Sequence, residues 1–259
     1  MCLLVFSFKQ HPVYDLIFAT NRDEFYERPT RAAQFWDKEP SVLGGKDLQA
    51  GGTWLGMTKE GKFSALTNYR DPSIQKEDAP SRGHLVLDFL VGDKNPEPYL
   101  KDVDERADNY NGFNLLTGDL SELTMMYYSN QEQKIQDLDA GLYGLSNKLL
   151  DTPWPKVKKA KKNFNEIIDS PDISESDLFD LLKDHERAPD DKLPDTGIPK
   201  DLERAVSPIF IKTENYGTRN STIILVDKSG NVTFEERRYR GGTQIVEEKN
   251  RYQFQIEQG

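Results

Sequence analysis

The chain opens Cys2-Leu3-Leu4-Val5-Phe6-Ser7-Phe8 behind Met1. After the turn signal His11-Pro12, residues 14–20 repeat that apolar, β-favouring character and run directly into Asn21-Arg22-Asp23-Glu24. Two short apolar runs separated by a turn read as a β-hairpin. The polar tetrad reads as a polar segment that directly follows the second strand. A hairpin brings the start of its first strand beside the end of its second, so Cys2 is expected to meet Arg22 and Asp23 at one end of a sheet.

Cys2 supports two interpretations. A cysteine inside an apolar strand is commonly a small buried hydrophobe. A small residue at position 2 also lets an aminopeptidase remove Met1, which leaves Cys2 with a free α-amine beside its own thiol. That amine has an ordinary pKa of about 8 and can act as general base to the thiol without a histidine. The three histidines, His11, His84 and His185, fall in a turn, at a helix start and at a polar helix end, so no Cys/His arrangement is evident. The chain as written keeps Met1, and with Met1 in place the thiol lacks the free amine. Beside Cys2, Arg22 can hold a thiolate or a substrate carboxylate and Asp23 can bind an α-ammonium. The competing interpretation is an ordinary surface ion pair in a turn.

Outward from the hairpin, residues 29–52 contain Pro29, Pro40, Gly44-Gly45 and Gly51-Gly52 and read as a long loop. Residues 53–58 and 62–68 form a second hairpin around Glu60-Gly61. Residues 81–90 and then 96–109 read as helices, residues 113–118 and 123–128 as a strand pair, and 142–146 as a short strand. Residues 154–168 place Val157, Ala160, Phe164, Ile167 and Ile168 at helical spacing, with Lys158, Lys159, Lys161 and Lys162 on a solvated face. Ser174 with Asp177 gives a capping-box signal for a helix over 178–183. Residues 188–200 read as a loop, 218–226 and 231–238 as strands, and 252–256 as a last edge strand. The order suits one α+β domain spanning residues 1–259, with helices on layered antiparallel sheets.

Composition narrows the function. The 259 residues carry 34 Lys and Arg against 44 Asp and Glu, a net charge of −10, which opposes general attraction to phosphate backbones or anionic lipid. No nucleic-acid partner is expected. Apolar runs such as residues 2–6 and 222–226 fall far short of the roughly 20 residues of a membrane helix. No integral membrane segment is expected, and the absence of a signal-like N-terminus leads to an expected cytoplasmic location. One cysteine excludes an internal disulfide framework and a multi-cysteine metal cluster, and no cofactor is expected. Gly51-Gly52-Thr53-Trp54-Leu55-Gly56 lacks the Lys-Ser/Thr ending of a phosphate loop and reads as a turn that lets backbones pack closely. Trp36 and Trp54 read as core or as a pocket floor.

Met1-Cys2, Asn21-Arg22-Asp23-Glu24, Arg28-Pro29, Gly51-Gly52-Thr53-Trp54-Leu55-Gly56, Thr67-Asn68-Tyr69-Arg70, Ser81-Arg82-Gly83, Asn111-Gly112-Phe113-Asn114, Leu145-Ser146-Asn147 and Tyr216-Gly217-Thr218-Arg219 together resemble the NRDE family, whose eukaryotic members are named transport and Golgi organisation 2. The resemblance runs from residue 1 to about residue 240. That family is in turn similar to the cysteine N-terminal nucleophile hydrolases of the bile-salt hydrolase and penicillin V acylase group. The resemblance implies a four-layer αββα sandwich and amide-bond hydrolysis. It implies Cys2 as nucleophile, Arg22 and Asp23 around the amine and thiol, Asn68 and Asn147 as oxyanion donors, and Arg219 as a late active-site arginine. Asp23 directly follows Arg22, whereas the hydrolases place their Asp a few residues after their Arg.

Two functions of different class follow. The first is an N-terminal cysteine amidohydrolase acting on a small amide or acyl-amide. The second is a non-catalytic carrier or chaperone for a hydrophobic metabolite such as haem or a lipid, which the resemblance implies for eukaryotic family members.

Overall fold

The computed structural model describes residues 2–170 and 172–257. The expectation about Met1 therefore lies outside the described residues. The first hairpin forms as expected, from β1 (Cys2–Phe8) and β2 (Tyr14–Phe25). Here β2 departs from the sequence expectation. It does not stop before the polar tetrad but carries Asn21, Arg22, Asp23 and Glu24 in its ladder, with Cys2 directly opposite Arg22. Partners on both sides hold these polar residues extended, because β2 also pairs along its length with a late strand, β11 (Tyr216–Asp227).

The segment expected to be a loop forms β3 (Thr30–Phe35) and β4 (Val42–Asp47). Its glycines serve close packing inside the sheet. A Cβ on Gly44 would lie 2.6 Å from the Leu55 carbonyl oxygen, and one on Gly45 would lie 2.4 Å from the Trp54 ring. The chain continues through β5 (Leu55–Thr58), β6 (Lys62–Asn68), α1 (Gly83–Val91) and α2 (Pro96–Glu105). A separate single 3₁₀ turn over Ala107–Asn109 ends what the sequence suggested was one helix. Next come β7 (Phe113–Asp119), β8 (Thr124–Ser129), β9 (Lys134–Asp137), β10 (Gly141–Leu145), α3 (Pro155–Ile168) and α4 (Glu175–Leu182). Ser174 occupies the N-cap of α4, yet its side chain makes no cap hydrogen bond. The short helix α5 (Lys200–Ala205) precedes β11, β12 (Asn231–Tyr239) and β13 (Val246–Gln255). Strand β9 and helix α5 had no clear sequence signal, and β13 is longer than the expected edge strand.

Among the described residues these strands build two antiparallel sheets, ordered β10-β1-β2-β11-β12-β13 and β3-β4-β5-β6-β7-β8-β9. Three apolar clusters define four layers. Leu4, Phe6, Leu16, Phe18 and Ile224 of the first sheet meet Leu55, Met57, Phe63 and Tyr127 of the second. The other face of the first sheet, with Leu3, Val5, Ile17, Ala19 and Ile223, packs on Val157 and Phe164 of α3 and Leu178 and Phe179 of α4. The outer face of the second sheet packs on α1 and α2 through Leu85, Phe89, Leu100 and Val103. The molecule is thus an αββα sandwich, the architecture expected of an N-terminal nucleophile hydrolase fold. Strand alternation assigns each side chain of the first sheet to one interface or the other.

Candidate functional site

A cleft of about 500 Å³ opens where the N-terminal end of β1 meets the second sheet, and Cys2, Arg22, Glu24, Trp54, Asn68 and Arg82 are in its wall. Alternation along β2 divides the tetrad. Cys2 packs with the inter-sheet core, as do Leu4 and Phe6, and Arg22 on the facing strand shares that side. Asn21 points to the helix layer, and Asp23, on the same face of β2, also borders the cleft.

Arg22 is buried, and its guanidinium carbon lies 4.0 Å from the centre of the Trp54 ring, a cation–π contact strengthened by exclusion of water. Nη2 stands 3.8 Å from Glu24. Nη1 is buried without a hydrogen-bond partner among the described residues. Burial pushes the Cys2 thiol above its ordinary pKa and the Asp23 carboxylate pushes it further up. The Asp23 backbone N–H and Arg22 pull it back down. A nucleophile here depends on a base that removes its proton.

Asp23 is held behind the thiol. Its Oδ1 accepts a hydrogen bond from Thr218 Oγ1 at 2.6 Å, and its carbonyl accepts one from Tyr216 Oη at 3.0 Å. Burial raises its pKa, opposed by the charges of Lys156 and Arg22 and by the Thr218 hydroxyl. A bulge aims Thr218 at this carboxylate: β11 pairs Thr218 with Asp23 and Asn220 with Arg22, leaving Arg219 as the extra residue between them. Asn21 takes a structural role, donating to the carbonyls of Leu182 and Ile209 at 2.8 and 2.9 Å and accepting from Ser221.

The second sheet supplies Asn68 from the end of β6, half-buried in the cleft wall. A hydrogen-bonded clamp fixes it against the first sheet. Asn147 is fully buried; its Nδ2 donates to the Asn68 carbonyl at 2.7 Å and its carbonyl accepts from the Arg70 backbone N–H at 2.8 Å. Ser146 Oγ donates to the Cys2 carbonyl at 3.0 Å. Asn114 Nδ2 reaches Thr67 Oγ1 and the Lys148 carbonyl at 3.0 and 2.9 Å.

Cys2, Arg22, Asp23 and Asn68 therefore come together. Asn147 stands behind Asn68 instead of in the cleft wall. Arg219 lies outside that wall too, with Nη1 donating to the carbonyls of Phe25 and Arg28 and so tying down the turn after β2. Sequence reasoning gave no role to Arg70, Lys156, Glu203 or Arg82. Arg70 and Glu203 form a buried ion pair at 2.7 Å. Lys156 is buried on α3, donates to the Val206 carbonyl at 3.1 Å and has a pKa lowered to about 8, chiefly by burial and against the pull of Asp23. Its signal was present, since Lys156 stands one turn before Ala160 on the apolar stripe of α3. Among the described residues no group of three or more His, Cys, Asp or Glu side chains is placed to hold a metal ion, and no helix is long and apolar enough to cross a membrane.

The sandwich is similar to solved N-terminal nucleophile hydrolases. A mutant of the conjugated bile acid hydrolase from Clostridium perfringens superposes with a TM-score of 0.54 at 12% identity, covering 97% of this chain and 92% of that one. In sequence, the Transport and Golgi organization 2 homolog of Mus musculus is 40% identical over 99% of this chain and 100% of its own length. The Homo sapiens homolog is 41% identical over 92% of each. The profile of the Transport and Golgi organisation 2 family matches residues 1–241. With its motifs on one fold and one cleft, the chain belongs to the Transport and Golgi organisation 2 family.

Proposed function

We propose that the protein is an N-terminal cysteine amidohydrolase that cleaves a small amide, acting in the cytoplasm after removal of Met1. The observation that carries this reading is the pairing of Cys2 with Arg22 at the head of a cleft whose opposite wall presents Asn68. With the α-amine free, it takes the thiol proton and the sulfur attacks the amide carbonyl. Asn68 is positioned to donate to the developing oxyanion, and loss of such a donor costs on the order of a hundredfold in rate. The amine leaves with the proton, and water then hydrolyses the thioester, releasing the acid and restoring the thiol. Arg22 and Asp23 hold the thiolate and the ammonium.

The charged lining supports this reading over a carrier of a hydrophobic metabolite. Arg22, Glu24, Arg28, Asp47 and Arg82 all line the cleft, and the largest apolar liner, Trp54, is covered by Arg22. Intact mass after exposure to a β-lactone probe is the test. Processed wild type should gain one probe mass. Cys2→Ala and a form that retains Met1 should gain none, and Cys2→Ser a trace at most. Absence of labelling in processed wild type would refute the nucleophile.

A further inference from the structure

Ser81-Arg82-Gly83 and Asn111-Gly112 meet at the far wall of the cleft. Arg82 is the N-cap residue of α1 and carries no cap hydrogen bond from its side chain. It is half-buried in the wall, and its Nη1 donates to the Gly112 carbonyl at 2.8 Å. Among the described residues no carboxylate oxygen lies within 4 Å of this guanidinium. The acids nearer the thiol are engaged elsewhere. Asp47 accepts from Arg28 at 2.7 and 3.0 Å and from the backbone N–H groups of Gln49 and Ala50. Glu24 stands 3.8 Å from both Arg22 and Arg28. Glu77 is exposed at the rim.

One guanidinium thus remains under-used on the cleft surface, that of Arg82 at the far wall. A partly desolvated guanidinium held by a carbonyl and lacking a carboxylate is a ready partner for a planar oxyanion, which it grips through two parallel N–H donors. We infer that the amide hydrolysed here carries a free carboxylate, and that Arg82 is the residue that selects it. This inference rests on the amidohydrolase reading and names the substrate class of the same cleft: a small anionic amide, with the scissile carbonyl between Cys2 and Asn68 and the carboxylate on Arg82.

Two β-lactones, one bearing a carboxylate and the other its methyl ester, test the selection. In either, the Cys2 sulfur attacks the lactone carbonyl, the acyl–oxygen bond breaks, and the ring oxygen takes up the thiol proton, so the whole probe stays on the protein as a thioester. Processed wild type should be labelled at least tenfold faster by the carboxylate probe. In Arg82→Gln that ratio should fall to within twofold of one, and Arg82→Lys should restore part of it. A ratio cannot be produced by general loss of folding. Equal rates in wild type, or a preference that survives in Arg82→Gln, would overturn the inference. If neither probe labels wild type, the nucleophile reading fails, and binding to Cys2→Ala protein decides the anion site separately. N-acetylglycine should then bind at least tenfold tighter than N-acetylglycinamide, with the difference abolished by Arg82→Gln. Equal binding of the two would end the proposal.

Discussion

Asn147 Nδ2 donates to the main-chain carbonyl of Asn68 at 2.7 Å, so the second residue after one sheet's edge strand holds the cleft residue of the other. This bond separates two asparagines that the sequence placed in the same role. Asn147→Ala leaves a carbonyl unsatisfied and removes a buried amide, and should cost about 1–3 kcal/mol in urea denaturation. Asn68→Ala leaves the clamp intact. It should cost less than about 1 kcal/mol yet slow Cys2 labelling on the order of a hundredfold. Equal losses of stability in the two variants would contradict this division.

Lys156 makes stability depend on pH. Its folded pKa of about 8 lies below the ordinary lysine value, so between about pH 8 and 10.5 the unfolded chain binds the extra proton and stability rises with pH. Below about pH 8 the buried ammonium carries its full desolvation cost. The difference in melting temperature between wild type and Lys156→Met should therefore shift in favour of wild type as pH rises through this window. A difference independent of pH would show that Lys156 is not buried as a titrating group.

Glu236 joins the two sheets from the middle of β12. Its Oε1 accepts from the Ala33 N–H of β3 at 2.7 Å and its Oε2 accepts from Asn220 Nδ2. Glu236→Ala leaves both donors buried and unpaired and should cost about 2 kcal/mol or more. Glu236→Gln keeps the acceptor for Ala33 and should cost less. Burial raises the carboxyl pKa of Glu236, so this residue's contribution to stability falls as pH rises above the usual glutamate value toward its folded pKa. Thermal melts of Glu236→Gln and wild type between pH 4 and 7 should therefore converge as the pH is raised.

Gly52 packs against the first residue of α1. A Cβ there would stand 2.4 Å from the Gly83 carbonyl carbon, a clash with backbone that no rotamer relieves. Gly52→Ala should cost about 1–3 kcal/mol and displace the Arg82 wall. Denaturation together with the carboxylate preference of labelling measures both effects, and an unchanged midpoint would contradict the packing.

The first hairpin and the amphipathic α3 were legible because their patterns are local, whereas the four-layer order followed from the family resemblance. Residues 29–52 were not, since Gly44 and Gly45 look like breakers until Leu55 and Trp54 close over them from another strand. The same distance in sequence hid the work of Asn147, whose partner lies 79 positions away. Cys2, Arg22, Asp23 and Asn68 could be gathered from motif order. Lys156 was passed over because a lysine within a lysine-rich helix reads as surface, although its phase placed it with Val157 and Ala160. Arg219 stands in a bulge, which alternation alone does not reveal.

The continuation of β2 through Arg22 and Asp23 makes the active centre a matter of parity. Deleting or inserting one residue between Tyr14 and Asn21 would leave an apolar strand able to pair, but would exchange its two faces. The Arg22 guanidinium would then leave the Trp54 ring for the oily layer under α3 and α4, and the Asp23 carboxyl would lose the Thr218 hydroxyl. Odd and even numbering along these few residues is thus a wiring rule that keeps the Arg22 side chain on Trp54 and the Asp23 side chain on Thr218.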